Sequence, residues 1–215
     1  MGEDGVDPAR QGAPQVDLRC GEHGWTLTLH RDLAHAPEAV WAILTEPSLL
    51  PRWTACTPDR HLGTAGAVTL RIVVGDSTDT RAATVIRADP PSLLEYAWPD
   101  DRFRWELHPT AGGGTRLTLG HTFTAWEWAA EVAAGWHLSF DAAEGLLDPS
   151  RGTASPSPAG SASPAPAGTC SPWQDLRDAY ARRLIDLGWH DIEPRARRRA
   201  PLTWDVPPRA QRAVE

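Results

Sequence analysis

The chain has no lysine: all 21 of its basic residues are Arg. That bias goes with its many Ala, Pro and Gly residues and reflects GC-rich coding rather than a mechanism. Cysteine is scarce and odd in number. Cys20, Cys56 and Cys170 lie far apart with no Cys-x-x-Cys pair, which argues against a disulfide framework or a cysteine zinc site and leaves free thiols. No run approaches the roughly 18 apolar residues of a membrane span. The N-terminus, Met-Gly-Glu-Asp-Gly-Val-Asp-Pro, lacks the basic start and apolar stretch of a signal peptide. The expectation is a cytoplasmic protein. A Gly-rich phosphate loop, His-Glu-x-x-His, Gly-x-Ser-x-Gly and a paired-carboxylate motif are also missing. Kinase, metalloprotease and serine-hydrolase readings therefore gain no support, and neither metal nor cofactor is expected.

Phe and Tyr are few, three and two, against eleven Trp. Indoles in that number suit a large core or the wall of an apolar cavity. With 215 residues, 41% of them hydrophobic, the chain can bury one proper core. Its net charge of −7 is uneven: residues 191–215 carry six Arg against four acids, the remainder fifteen against twenty-four. An acidic body argues against nucleic-acid binding. Arg195, Arg197, Arg198 and Arg199 read as a solvated cluster in the tail, with contact to an acidic partner as the alternative.

The organisation follows from periodicity. Residues 1–22, rich in Gly, Pro and charge, read as a disordered leader. A strand follows at Trp25–Arg31. Pro37 then opens a helix over 37–45, where its missing N–H costs nothing, with Glu38 beside the positive end of the dipole and Val40, Ile43 and Leu44 as the apolar stripe. Pro47 closes it. Period-two runs at 67–74, 80–88, 92–98, 102–109 and 115–123 bring the strands to about six. The turn chemistry of Asp89-Pro90-Pro91-Ser92 and Ala111-Gly112-Gly113-Gly114, with a further turn at Gly75-Asp76-Ser77, makes them an antiparallel meander. From Trp126 the spacing becomes helical, with Val132, Trp136, Phe140, Ala143 and Leu147 on one face. Gly135, beside Trp136, reads as a packing residue. Residues 149–172 are different: 22 of 24 are Ser, Pro, Ala, Gly or Thr, a flexible insertion that cannot bury enough apolar surface to order itself. One more amphipathic helix, 173–187, completes a domain spanning 23–190. An Arg- and Pro-rich tail, 191–215, follows.

The order strand, helix, short helix, antiparallel strands, long C-terminal helix resembles the helix-grip fold of the SRPBCC, or START-like, superfamily, an α+β architecture whose curved sheet wraps the last helix. Within it, Pro37-Glu-Ala-Val-Trp-Ala-Ile-Leu-Thr, Leu49-Leu50 with Arg52-Trp53, Thr115-Arg-Leu-Thr-Leu with His121, and Ala134-Gly-Trp-His137 with Phe140-Asp141 are similar to the activator of heat-shock-protein-90 ATPase homologue-like family, in its single-domain bacterial form. The resemblance covers 25–147 and 173–187. Pro51 departs from it, sitting where the family continues a short helix, and so does the insertion.

The resemblance implies a cavity between sheet and helix. Alternation puts Leu94, Tyr96 and Trp98 on one strand face, Phe103, Trp105 and Leu107 on the next, and Leu117, Leu119, His121 and Phe123 on the third. A one-residue slip would invert every one of these assignments. The candidate wall is Trp53, Tyr96, Trp98, Trp105, His121, Phe123, Trp136 and Phe140: apolar surface with few polar groups, as a small hydrophobic or aromatic ligand requires. Each of these side chains taken alone reads first as filling of the interior, and it is the fold that favours a cavity wall for the set. A binding role ranks first. A cyclase-, aromatase- or hydrolase-like enzyme in the same cavity ranks second, with His121 and Tyr96 as acid/base candidates. A co-chaperone-like protein-interaction role is third. His137 and Asp141, at i and i+4, read as a surface pair.

If 149–172 is an insertion within one domain, replacing it by about six residues, a usual helix-to-helix connection, will leave the thermal midpoint nearly unchanged. Differential scanning calorimetry checks this, and a large drop refutes the insertion.

Overall fold

The structure, a computed structural model, describes residues 15–74, 77–99, 101–148 and 172–186. Eight strands form one sheet: β1 (Gln15–Gly21), β2 (Gly24–Leu33), β3 (Cys56–Pro58), β4 (Gly66–Val74), β5 (Ser77–Asp89), β6 (Leu93–Trp98), β7 (Asp101–Pro109) and β8 (Thr115–Phe123). Their order is β1-β2-β8-β7-β6-β5-β4-β3, every neighbouring pair antiparallel. From β3 to β8 the chain is a plain meander. The single long crossover runs from β2 to the far edge strand β3, and helix α1 (Pro37–Thr45) and a 3-10 turn (Leu50–Arg52) make it.

The α1 boundaries follow from local chemistry. Ala36 is extended, Pro37 begins the helix, and the Glu46 N–H donates to the Ala42 carbonyl before Pro47 stops further winding. Val40, Trp41, Ile43 and Leu44 are buried beneath it. Pro51 is accommodated early in the 3-10 turn, where a donor is not needed. Trp53 locks this turn to α1 by donating its indole N–H to the Ile43 carbonyl at 2.8 Å.

The expected leader and strand count need correction. Gln15–Gly21 forms β1, paired to β2 in the register Val16 to Leu29 and Leu18 to Leu27, with Val16 and Leu18 buried. A two-residue hairpin loop, Glu22-His23, joins the strands. Gly24 has φ +120° and a Cβ there would lie 2.5 Å from the Phe123 carbonyl oxygen, so only glycine fits. The other addition is the short edge strand β3. Residues 1–14, the insertion at 149–171, the turn at 75–76 and the tail from 187 lie outside the described residues.

The faces of β6, β7 and β8 named from alternation are the inward ones, all buried. On the other face Glu95 pairs with Arg102 at 3.0 Å and with Arg104 at 3.4 Å, and Arg104 with Glu106 at 2.6 Å. Helix α2 (Ala129–Leu147), preceded by a 3-10 turn at Trp126–Trp128, lays Val132, Ala133, Trp136, Phe140 and Ala143 against the sheet. Arg31, from β2, reaches Asp141 and, at 3.6 Å, Glu144, and so ties the C-terminal half of α2 to the sheet.

Helix α3 (Pro172–Asp186) packs on α2 and buries Tyr180 and Leu184. The His137–Asp141 pair forms at 3.4 Å, but it is no simple surface pair: His137 Nδ1 also meets the Tyr180 hydroxyl at 3.0 Å, beneath α3. Burial holds the His137 pKa below its usual 6.5; Asp141 opposes the shift and Arg31 adds to it. The undocked state thus binds a proton more readily than the docked one. Docking is at full strength above pH 6.5 and weakens as pH falls below it toward the depressed value. Amide protection factors across 172–186, corrected for the intrinsic pH dependence of exchange, will fall as pH drops below 6.5, and His137→Gln will flatten that dependence.

Candidate functional site

Between the sheet, α1 and α2 lies a cavity lined by Leu44, Leu50, Thr54, Ala55, Cys56, Ile72, Tyr96, Trp98, Phe103, Trp105 and Trp136. Only Thr54, Ala55 and Cys56 among these are half-buried rather than buried, so the segment 54–56 is its mouth. The space open to water is about 20 Å3, room for about one water molecule, against roughly 300 Å3 or more in a pocket for a drug-sized ligand.

Four of the eight wall residues named from sequence, Tyr96, Trp98, Trp105 and Trp136, line it. The other four do not. Trp53 is spent on α1 and packs edge-on against Trp105 at 5.9 Å. Phe140 stands behind Trp105 and Trp136, 6.2 and 6.3 Å from them. His121 and Phe123 continue the aromatic surface along β8, 5.2 Å apart. The sequence reading missed the contribution of α1, the 3-10 turn, β3 and β4. The apolar stripe of α1 gave notice of Leu44, whereas no periodicity marks Thr54–Cys56.

His121 and Tyr96 do not meet as an acid/base pair. Register sets Tyr96 opposite Phe103 and Phe103 opposite His121, and the Phe103 ring is stacked on both, at 5.0 and 4.3 Å. The real partner of His121 is Asp101, which the sequence reading did not single out. His121 is 0% and Asp101 7% exposed. The Asp101 carboxylate accepts the Trp98 indole N–H at 2.6 Å and pairs with His121 Nε2 at 3.0 Å; the Trp136 indole N–H donates to His121 Nδ1 at 3.1 Å. An indole N–H can only donate, so Nδ1 is the acceptor and Nε2 carries the proton given to Asp101. Both ring nitrogens are occupied, which leaves His121 no lone pair for a substrate proton.

The polar groups at the cavity are neutral. Burial pushes the Cys56 thiol up to about 12. Burial also raises the Tyr96 hydroxyl far out of the physiological range; neighbouring Cys56 adds to that and a hydrogen bond from Trp105 opposes it. The Thr54 hydroxyl donates to the Leu50 carbonyl at 3.0 Å and accepts the Cys56 N–H at 3.1 Å. Among the described residues no group of three or more His, Cys, Asp or Glu is arranged to hold a metal, and no helix is long and apolar enough to cross a membrane.

Residues 34–148 match the family model described as activator of Hsp90 ATPase homolog 1-like protein. The chain belongs to that family, of the SRPBCC type. No functionally curated protein matches it in sequence. Among solved structures it is similar to CalU16 from Micromonospora echinospora, with TM-score 0.60 and 21% identity over 80-odd per cent of this chain, 83%, and 98% of that one. It is also similar to EF2215 from Enterococcus faecalis, a conserved protein of unknown function, with TM-score 0.59 and 16% identity over 80% of this chain and 92% of that one. A protein from Arthrobacter aurescens gives TM-score 0.53 and 19% identity over 63% and 91%. At these identities the likeness is one of fold.

The network predicts its own cost of disruption. His121→Leu leaves the buried Asp101 carboxyl without that hydrogen bond and will lower the unfolding free energy by about 1–3 kcal/mol, read as a shift of the urea midpoint. Asp101→Asn, which keeps one carbonyl oxygen as an acceptor, will cost less.

Proposed function

We propose that this family member is a binding domain that holds a small, largely apolar molecule in the cavity between the sheet and α2. The observation that carries the reading is the lining itself: four aromatic rings from β6 and β7, the Trp136 indole from α2, and aliphatic side chains from α1, the 3-10 turn and β4, with few polar atoms. The resting volume is too small for such a guest, so binding is coupled to an outward shift of residues 54–56 and repacking of the indoles. The enzyme alternative loses its base, because both nitrogens of His121 are already committed to Asp101 and Trp136. The co-chaperone alternative draws on the family's name, and no feature of the described residues carries it.

Native mass spectrometry of the protein purified from its own cells, comparing intact and denatured masses, tests the proposal. The expected result is a discrete added mass of a small molecule that disappears on denaturation. A clean apo mass, with no change in tryptophan fluorescence on titration with apolar aromatics, refutes it.

A further inference from the structure

The cavity has a defined chemical polarity, and this deepens the binding reading above, on which it rests. No Arg or His is among the lining residues. An anionic guest would therefore leave its hydration shell with no cation to meet it, a cost that burial makes severe. The remaining polar groups sort by what they have left to give. The Thr54 hydroxyl is spent on both sides, donating to Leu50 and accepting from Cys56. Tyr96 lines the cavity together with Cys56 and Trp105; its hydroxyl has a proton to donate, the Trp105 indole can only donate, and the Cys56 thiol is a weak acceptor. The Tyr96 ring cannot swing to find another. It is 7% exposed, stacked on Phe103 at 5.0 Å and tilted against Trp98 at 6.4 Å.

We infer that the cavity selects neutral molecules carrying one hydrogen-bond acceptor on an otherwise apolar body, a ketone or ester carbonyl for example, with the Tyr96 hydroxyl donating to that oxygen. A carbonyl is a far better acceptor than a thiol, so the guest takes over a donor that the empty protein uses poorly. Because the ring is held by Phe103 and Trp98, the donor is already positioned and little ordering entropy is lost on binding. A hydrocarbon of the same shape fills the same space but leaves this donor where it was, and a carboxylate brings a charge the walls cannot balance.

Three probes of nearly equal size separate these cases: acetophenone, ethylbenzene and benzoate, each titrated into the full-length protein at neutral pH and followed by tryptophan fluorescence and amide chemical shifts. Acetophenone will bind roughly tenfold more tightly than ethylbenzene, the scale of one buried hydrogen bond, and benzoate more weakly than either. Tyr96→Phe will remove the preference for acetophenone while retaining ethylbenzene affinity within about twofold. Equal affinity for acetophenone and ethylbenzene in the unmodified protein, or benzoate binding most tightly, overturns the inference and leaves the binding function standing. If none of the three binds, the inference falls, while the binding function is still decided by the native mass measurement. The comparison among probes in the unmodified protein decides the matter even if the Tyr96 variant folds poorly.

Discussion

A carboxylate buried in an aromatic interior is the constraint on which this architecture turns. Asp101 begins β7, Trp98 ends β6, His121 lies on β8 and Trp136 on α2, and one chain of hydrogen bonds joins all four. Burying Asp101 is costly unless its acceptors are filled, so the hairpin β6–β7, the strand β8 and the helix α2 can adopt only the arrangement that fills them. The network also fixes the His121 tautomer, and through Trp136 it fixes where α2 sits over the sheet. What looks in the sequence like a catalytic histidine is, in the fold, the junction of that network.

The indoles explain the rest of the interior. Trp105 stands at its centre, edge-on to Trp53 at 5.9 Å and to Trp136 at 5.3 Å, the arrangement that ring quadrupoles favour. Such large rigid groups fill space well but imperfectly, and the gap they leave lies against the crossover segment 54–56 rather than against the closely paired central strands. The mouth is therefore formed where the crossover ends and the edge strand β3 begins. Beyond α2, helix α3 adds a second layer through Tyr180 and Leu184. Its hydrogen bond to His137 makes that layer sensitive to protonation.

Local chemistry was legible where it was self-contained. Pro37, Glu38 and Pro47 bracket α1 without help from elsewhere, and the turn residues between β5 and β6 and between β7 and β8 mark a meander. Where tertiary pairing supplies the reason for an element, legibility failed. The strand β1 is a short alternation of Val16 and Leu18 before Gly21-Glu22-His23-Gly24, inside a stretch whose composition suggests disorder; it is held by its pairing to β2 and by burial. The strand β3 has three residues and exists only as an edge partner of β4. The cavity was half legible for the same reason: alternation put Tyr96, Trp98 and Trp105 on inward faces, while Leu50, Thr54, Cys56 and Ile72 reach it only because the crossover returns to the far edge of the sheet.

The sequence by itself determined the periods, and so which residues share a face, where α1 begins and ends, and that β4 to β8 follow one another as neighbours. These depend on interactions within a few residues. Only the tertiary structure decided that Phe103 separates Tyr96 from His121, that Asp101 and Trp136 occupy both nitrogens of that imidazole, and that the cavity is narrow and uncharged. The physical reason is that register and the seating of α2 are chosen by the mutual packing of side chains far apart in the chain. Alternation constrains a face, but not what lies across from each residue on it.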